Sequence, residues 1–175
     1  MSRTARSTQP SIGRLDVAIA LVAVALGTFL MYENVYEPDD GLDVPFAAIP
    51  AFLVVTVPVL WRSVDPLRAL GAVVLGLALH TAVFGEVVRC GAAFPVLVVL
   101  AYAAGRRLHW RDARIALALG LGGALLVGAG DFLGFGVVVV GAPAVAIGWI
   151  VGRAVAARAP ATGGVRDAEP IGVRP

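Results

Sequence analysis

The chain has 175 residues, of which 59% are hydrophobic and only 15% charged, and its net charge is +2. Soluble domains average about 45–50% apolar and 25% charged residues, so this composition excludes a water-soluble globule and points to one compact membrane bundle without a second folded domain. All the basic residues are arginine, and the lone Cys90 excludes an internal disulfide.

Residues 1–13 (MSRTARSTQPSIG) are polar and read as a disordered cytoplasmic arm. An apolar run at 15–32 follows, close to the ~18 residues that cross a hydrocarbon core. Arg3, Arg6 and Arg14 before it resemble a signal peptide. The following MYENVYEPDD offers no small-residue cleavage site, however, and further spans follow, so an uncleaved first helix is expected. Asp16 lies at its cytoplasmic end, near the headgroups. The segment from Glu33 to Asp43 reads as an external loop, with Glu33, Glu37, Asp39, Asp40 and Asp43, no basic residue, and Tyr32, Tyr36 and Phe46 at the interface. Carboxylates can hold Ca²⁺, but this spacing matches no EF-hand. A solvated acidic loop is the reading.

The second span is expected at 44–61, where Pro58 should bend it near its inner end. WRSVDPLR (61–68) is a tight cytoplasmic turn, with Asp65 and Pro66 opening the next helix. The third span covers 67–85. A short outer turn around Glu86 to Arg89 leads into the fourth span at 90–105, with Pro95 in its first turns. GRRLHWRDAR (105–114) follows as a cytoplasmic loop carrying Arg106, Arg107, Arg111 and Arg114, facing anionic headgroups, and His109 reads as a solvated loop residue. The fifth span covers 113–130 and the sixth 132–152, with a turn near Asp131 between them. The residues from Arg153 onward read as a flexible cytoplasmic tail; the membrane domain is drawn at 14–158 and the tail domain at 159–175.

Orientation follows from the arginines. Arg3, Arg6, Arg14, Arg62, Arg68, Arg106, Arg107, Arg111, Arg114, Arg153, Arg158, Arg166 and Arg174 fall on one side of this scheme, and Arg89 alone falls on the other. The positive-inside rule then gives an all-α, polytopic membrane helical bundle of six transmembrane helices, with both termini cytoplasmic.

Small residues recur every four positions: Gly120, Ala124 and Gly128 on the fifth span, and Ala144, Gly148, Gly152 and Ala156 on the sixth. This spacing lets helix backbones approach closely, either inside one bundle or across a homodimer face.

The stretch HTAVFGEVVRCG (80–91) holds His80, the only cysteine Cys90, and Glu86 three residues before Arg89. His80 lies about 7–8 Å below Gly85 at 1.5 Å per residue, where an ionisable side chain normally faces the bundle interior. Protonation of an imidazole, or a neutral ring bonded to a neighbouring helix, are both open for it. Glu86 and Arg89 would share a helical face and pair there. Cys90, His80 and Glu86 are metal-compatible types, but they match no zinc spacing, and Cys90 reads better as a small apolar filler. No metal and no cofactor is expected.

VPVLWRSVDPLRAL and LHTAVFGEVVRCGAAFPVLVVLAYAAGRRL together resemble the N-terminal membrane region of actinobacterial sensor histidine kinases. Pro58, Leu60, Arg62 and Pro66 match the turn between two spans, and Tyr102, Gly105, Arg106 and Arg107 match the end of a later one. The likeness covers about 14–158. Such kinases continue into a dimerising helix with a phosphoacceptor histidine and an ATP-binding domain. Here RAPATGGVRDAEPIGVRP (158–175) has no histidine, and no GxxxxGK[ST] motif is present. The resemblance therefore implies an input-like module of a two-component signal transduction system, not an enzyme, with no kinase core of its own. Its expected partners are the lipid bilayer, a histidine-kinase core or another membrane protein, and a second copy of the chain; nucleic acid is not among them. A small transporter or channel subunit built on His80 and Glu86, and a structural envelope protein, are the alternative readings.

Overall fold

A computed structural model of the chain describes residues 11–37 and 43–159. Residues 1–10 of the arm expected at 1–13, Asp39 and Asp40 of the acidic segment, and residues 160–175 of the expected tail lie outside the described residues. Helices and turns account for the described residues, with no strand among them. In chain order they are α1 (Arg14–Tyr36), two four-residue helices α2 (Ala48–Ala51) and α3 (Leu53–Thr56), a 3-10 helix (Val57–Trp61), α4 (Pro66–Phe84), α5 (Cys90–Arg107), α6 (Trp110–Gly130), a 3-10 turn (Gly134–Val137) and α7 (Val138–Arg158).

Five of these helices are long and apolar enough to cross a membrane: α1, α4, α5, α6, and α7 with its leading turn. The second expected span, 44–61, is not a continuous helix. It is a 14-residue run, Ala48–Trp61, broken at Phe52 and finished as a 3-10 helix. Its prolines are the physical reason. Pro50 and Pro58 have no N–H to give, and the backbone around Pro58 tightens into 3-10 bonding.

Other boundaries also move. The acidic segment expected from Glu33 starts later, because α1 continues to Tyr36 and buries Asn34. The basic loop expected at 105–114 shrinks to Leu108 and His109. Arg106 and Arg107 close α5, where cations suit the carbonyl end, while Arg111 and Arg114 are helical in α6. All four are exposed. The tail expected from Arg153 is still helix: α7 runs to Arg158, and Arg153 donates to the Gly105 and Leu108 carbonyls at 3.4 and 3.1 Å.

Helix starts and stops follow local chemistry. Asp65 Oδ1 accepts the Arg68 N–H at 3.0 Å and Pro66 occupies the first helical position of α4, where no N–H is missed. At the other end, Gly85 takes φ +64°, which a side chain would resist.

The tightest packing joins α5 to α7. A Cβ on Gly105 would collide with the Trp149 carbonyl, and one on Gly152 with the Tyr102 carbonyl; at Gly148 it would sit 3.0 Å from the Val98 carbonyl oxygen. Gly120 fits against Val145, and Gly128 against Val138 and Phe135, with Ala124 fully buried beside them. Both small-residue stripes thus serve contacts within the chain, and Ala144 is half-buried. The outward surface is apolar, with Leu21, Val22, Phe29, Leu79, Val83, Val139 and Ile150 among the exposed side chains. Leu70, Val73, Leu77, Leu97 and Leu100 fill the centre.

Candidate functional site

Apart from Thr56, which lies mid-bundle against Gly27, the buried polar side chains gather at the two ends of the bundle. At one end the Gly85–Arg89 loop crosses from α4 to α5 and folds inward over its own arginine. Arg89 is 0% exposed, the largest fully buried side chain among the described residues. Its Nε donates to His80 Nδ1 at 3.0 Å. Nη2 donates to the Gly85 carbonyl at 2.6 Å and, at 3.4 Å, to that of His80. Nη1 reaches the Val87 carbonyl at 3.3 Å and also donates to the Gly130 carbonyl. Burial pushes the guanidinium down to about 10, with Asp131 pulling it back up, so it stays charged at neutral pH.

His80, 3% exposed, completes the arrangement. Because Arg89 has no lone pair to offer, Nδ1 must accept; Nε2–H then donates to the Ala48 carbonyl at 3.3 Å. This is a neutral imidazole with its proton on Nε2. Phe52 meets the ring edge-on at 5.1 Å and Phe84 lies at 4.7 Å.

Asp131, 2% exposed, holds the next layer. Its Oδ2 accepts the Arg89 and Cys90 N–H groups, each at 2.7 Å, and Oδ1 accepts the Leu133 N–H at 3.0 Å. A carboxylate here caps the N-terminus of α5, where the unsatisfied donors and the helix dipole both favour negative charge. Gly130 lets α6 come close enough, since a Cβ there would run into Thr81. Asn34 of α1 clamps the loop from the other side: its Nδ2 donates to the Val88 carbonyl at 3.0 Å and its Oδ1 accepts the Val88 N–H at 3.2 Å. One loop thereby ties together α1, α2, α4, α5 and α6.

Glu86 does not belong to this node. It is exposed, and the ion pairs among the described residues are Asp16–Arg62 and Asp65–Arg68, so the expected Glu86–Arg89 pair does not form. The loop is not helical there, and Arg89 turns inward to carbonyls while Glu86 turns out. The backbone N–H of Cys90 is used by Asp131, and the residue lines an open cleft with Phe94 and Leu133. Among the described residues no three His, Cys, Asp or Glu side chains converge as metal ligands.

The opposite end carries a second cluster. Asp16, 3% exposed, accepts from the Ser63 hydroxyl at 2.6 Å and the Gly13 N–H at 2.8 Å, and pairs with Arg62 Nε at 2.9 Å. Arg107 donates to the Ser63 carbonyl at 2.7 Å. Nearby, Trp149 Nε1 donates to the Ala113 carbonyl at 2.7 Å, and Arg153 stacks over Trp110 at 5.1 Å.

Sequence reasoning singled out His80, Arg89 and Cys90, but not Asn34, Asp131 or the joining of Asp16 to Arg62. For Asp131 a signal existed: it is the only acid between Asp112 and Asp167, set between two apolar runs.

The chain matches no protein-family model, no curated protein and no solved structure.

Proposed function

We propose that this chain is a sensory or regulatory module of a bacterial cytoplasmic membrane, acting through a partner protein such as a histidine-kinase core. In this reading it crosses the bilayer six times with both termini cytoplasmic. The arginine asymmetry supports the orientation. The broken segment supports the sixth crossing: it begins at Ala48, bonded to His80, and ends beside Ser63, bonded to Asp16. The nine residues from Ala48 to Thr56, eight of them α-helical, and the five 3-10 residues after them rise about 23 Å, and the flanking turns extend that toward the ~30 Å core.

The observation that carries the proposal is the Arg89 node. A single charged side chain under an outer loop is bonded to α4 and α6, while its neighbours in the same loop are bonded to α1. A change at that loop is therefore felt by helices whose far ends carry the Asp16–Arg62–Ser63–Arg107 cluster. Transport built on His80 and Glu86 has less support, because Glu86 points away and the polar atoms of His80 are turned on Arg89 and Ala48.

The test has two readouts. In a Cys90→Ser background, Glu86→Cys should react with a membrane-impermeant thiol reagent from outside the cell and Arg111→Cys only from inside; the reverse pattern defeats the topology. A kinase identified as co-purifying in mild detergent should change its autophosphorylation several-fold when reconstituted with the chain, and differently with a folded His80→Ala variant. Solute flux into liposomes that depends on His80, without any kinase effect, would favour transport instead.

A further inference from the structure

The structure assigns a second site, unconnected with the Arg89 node: a groove for an anionic phospholipid between α1, α5 and α7. Two clefts, about 330 and 580 Å³, share Ile19 and Val99 and so form one continuous channel open to the side of the bundle. Its upper part is walled only by apolar side chains, Ala23 of α1 and Val96 of α5 among them. Its lower part runs past Gly148 of α7 to Tyr102 and Arg62. From Ala92 to Tyr102, α5 rises about 15 Å, half of the ~30 Å hydrocarbon core and therefore the depth of one leaflet.

The mouth decides the occupant. Arg62 Nε pairs with Asp16 Oδ1 at 2.9 Å, but among the described residues no acceptor bonds its Nη1 or Nη2, and its side chain lines the lower cleft. A guanidinium fork at the rim of an apolar slot suits a phosphate diester joined to an acyl chain, since arginine binds phosphate oxygens with two parallel donors. Exposed Arg14 and Arg106 lie at the same end of the bundle and add to the attraction for an anionic headgroup. A partner's transmembrane helix would fill the slot but would leave the fork without an anion. The occupant is a phosphatidylglycerol-type lipid of the leaflet that meets this arginine-bearing end.

The probe is the purified chain in nanodiscs of phosphatidylcholine doped with phosphatidylglycerol of identical acyl chains, with retained lipid counted by native mass spectrometry. The wild-type chain should keep phosphatidylglycerol in preference to phosphatidylcholine. Arg62→Gln should cut that preference about fivefold, the share of one basic residue near an anionic surface. Because Arg62→Gln also disturbs Asp16, a second variant, Ala144→Phe, fills the lower cleft and leaves the ion pair intact; it should lose the retained lipid while its thermal midpoint holds. Equal retention of the two lipids overturns the assignment. So does a preference that survives both variants and disappears only in Arg106→Gln, which would mean diffuse surface charge.

Discussion

Arg89 Nε lies 3.0 Å from His80 Nδ1, and this bond joins a fully buried cation to a neutral ring rather than to a carboxylate. The charge is instead spread over carbonyl dipoles of Gly85, Val87, Gly130 and His80, with Asp131 a step further away through the backbone. Such a cation is held by many acceptors of fixed geometry, which is why arginine and not lysine fits the place: five donors in a planar fork meet acceptors on several sides. The loop can close over the charge only because its backbone has folded around it.

Arg89→Met should therefore strip donors from several buried carbonyls at once, and the lost bonds cost about 3 kcal/mol or more. Arg89→Lys should recover little of it, because one ammonium cannot reach His80, Gly85 and Gly130 together. Unfolding midpoints in detergent titrations check both. A lysine variant as stable as the wild type would mean that charge alone, and not the fork, holds the loop.

The histidine has a spectroscopic signature. With Nδ1 accepting from Arg89 and Nε2–H donating to Ala48, nitrogen NMR at neutral pH should find His80 neutral, with its proton on Nε2 and an unprotonated Nδ1. Exchange of that proton should be slow, since the ring is 3% exposed and flanked by Phe52 and Phe84. A proton on Nδ1 is incompatible with the Arg89 bond as drawn.

Much of the helical order was legible beforehand. Four of the apolar runs end within a few residues of their helices, because the same polar and proline punctuation that stops hydrophobicity also supplies caps, as Asp65 and Pro66 do for α4. The run at 44–61 reads as one span by hydropathy but breaks, since hydropathy is blind to the donors that Pro50 and Pro58 remove. At the site, HTAVFGEVVRCG stands out because it holds one of only two histidines, the only cysteine, and a glutamate three residues before an arginine. Its partners were not legible: Asn34, Gly130 and Asp131 lie 41 to 55 positions away from Arg89 or nearly so, and nothing local says that they meet. Glu86 was misplaced for a related reason. The i,i+3 rule presumes a helix, and the backbone at 85–89 is a loop.

Asp131 offers a graded test of the cap. Its two oxygens accept three N–H groups, from Arg89, Cys90 and Leu133. Asp131→Asn keeps one oxygen and should retain the Oδ2 pair while losing the Leu133 bond and the charge, a loss of about 1 kcal/mol, typical of a weakened N-cap. Asp131→Ala leaves all three donors bare and should cost about 2 kcal/mol or more. Hydrogen exchange at the Arg89 and Cys90 amides separates the two variants: protection should persist in the asparagine form and vanish in the alanine form.

Two glycines should behave in opposite ways when given a single methyl. At Gly152 a Cβ would strike the Tyr102 carbonyl and come within 3.0 Å of the Arg106 N, both backbone atoms that cannot swing aside. Gly152→Ala must push α7 away from α5 and should cost about 1–3 kcal/mol, as overpacking does. At Gly122, on the same kind of apolar helix, a Cβ meets nothing within 4 Å. Gly122→Ala should be neutral or should gain up to about 1 kcal/mol from helix propensity. Thermal midpoints of the two variants in one detergent decide the matter. If Gly152→Ala proves as benign as Gly122→Ala, α5 and α7 are not in backbone contact, and the small residues of α7 are free to face something other than their own bundle.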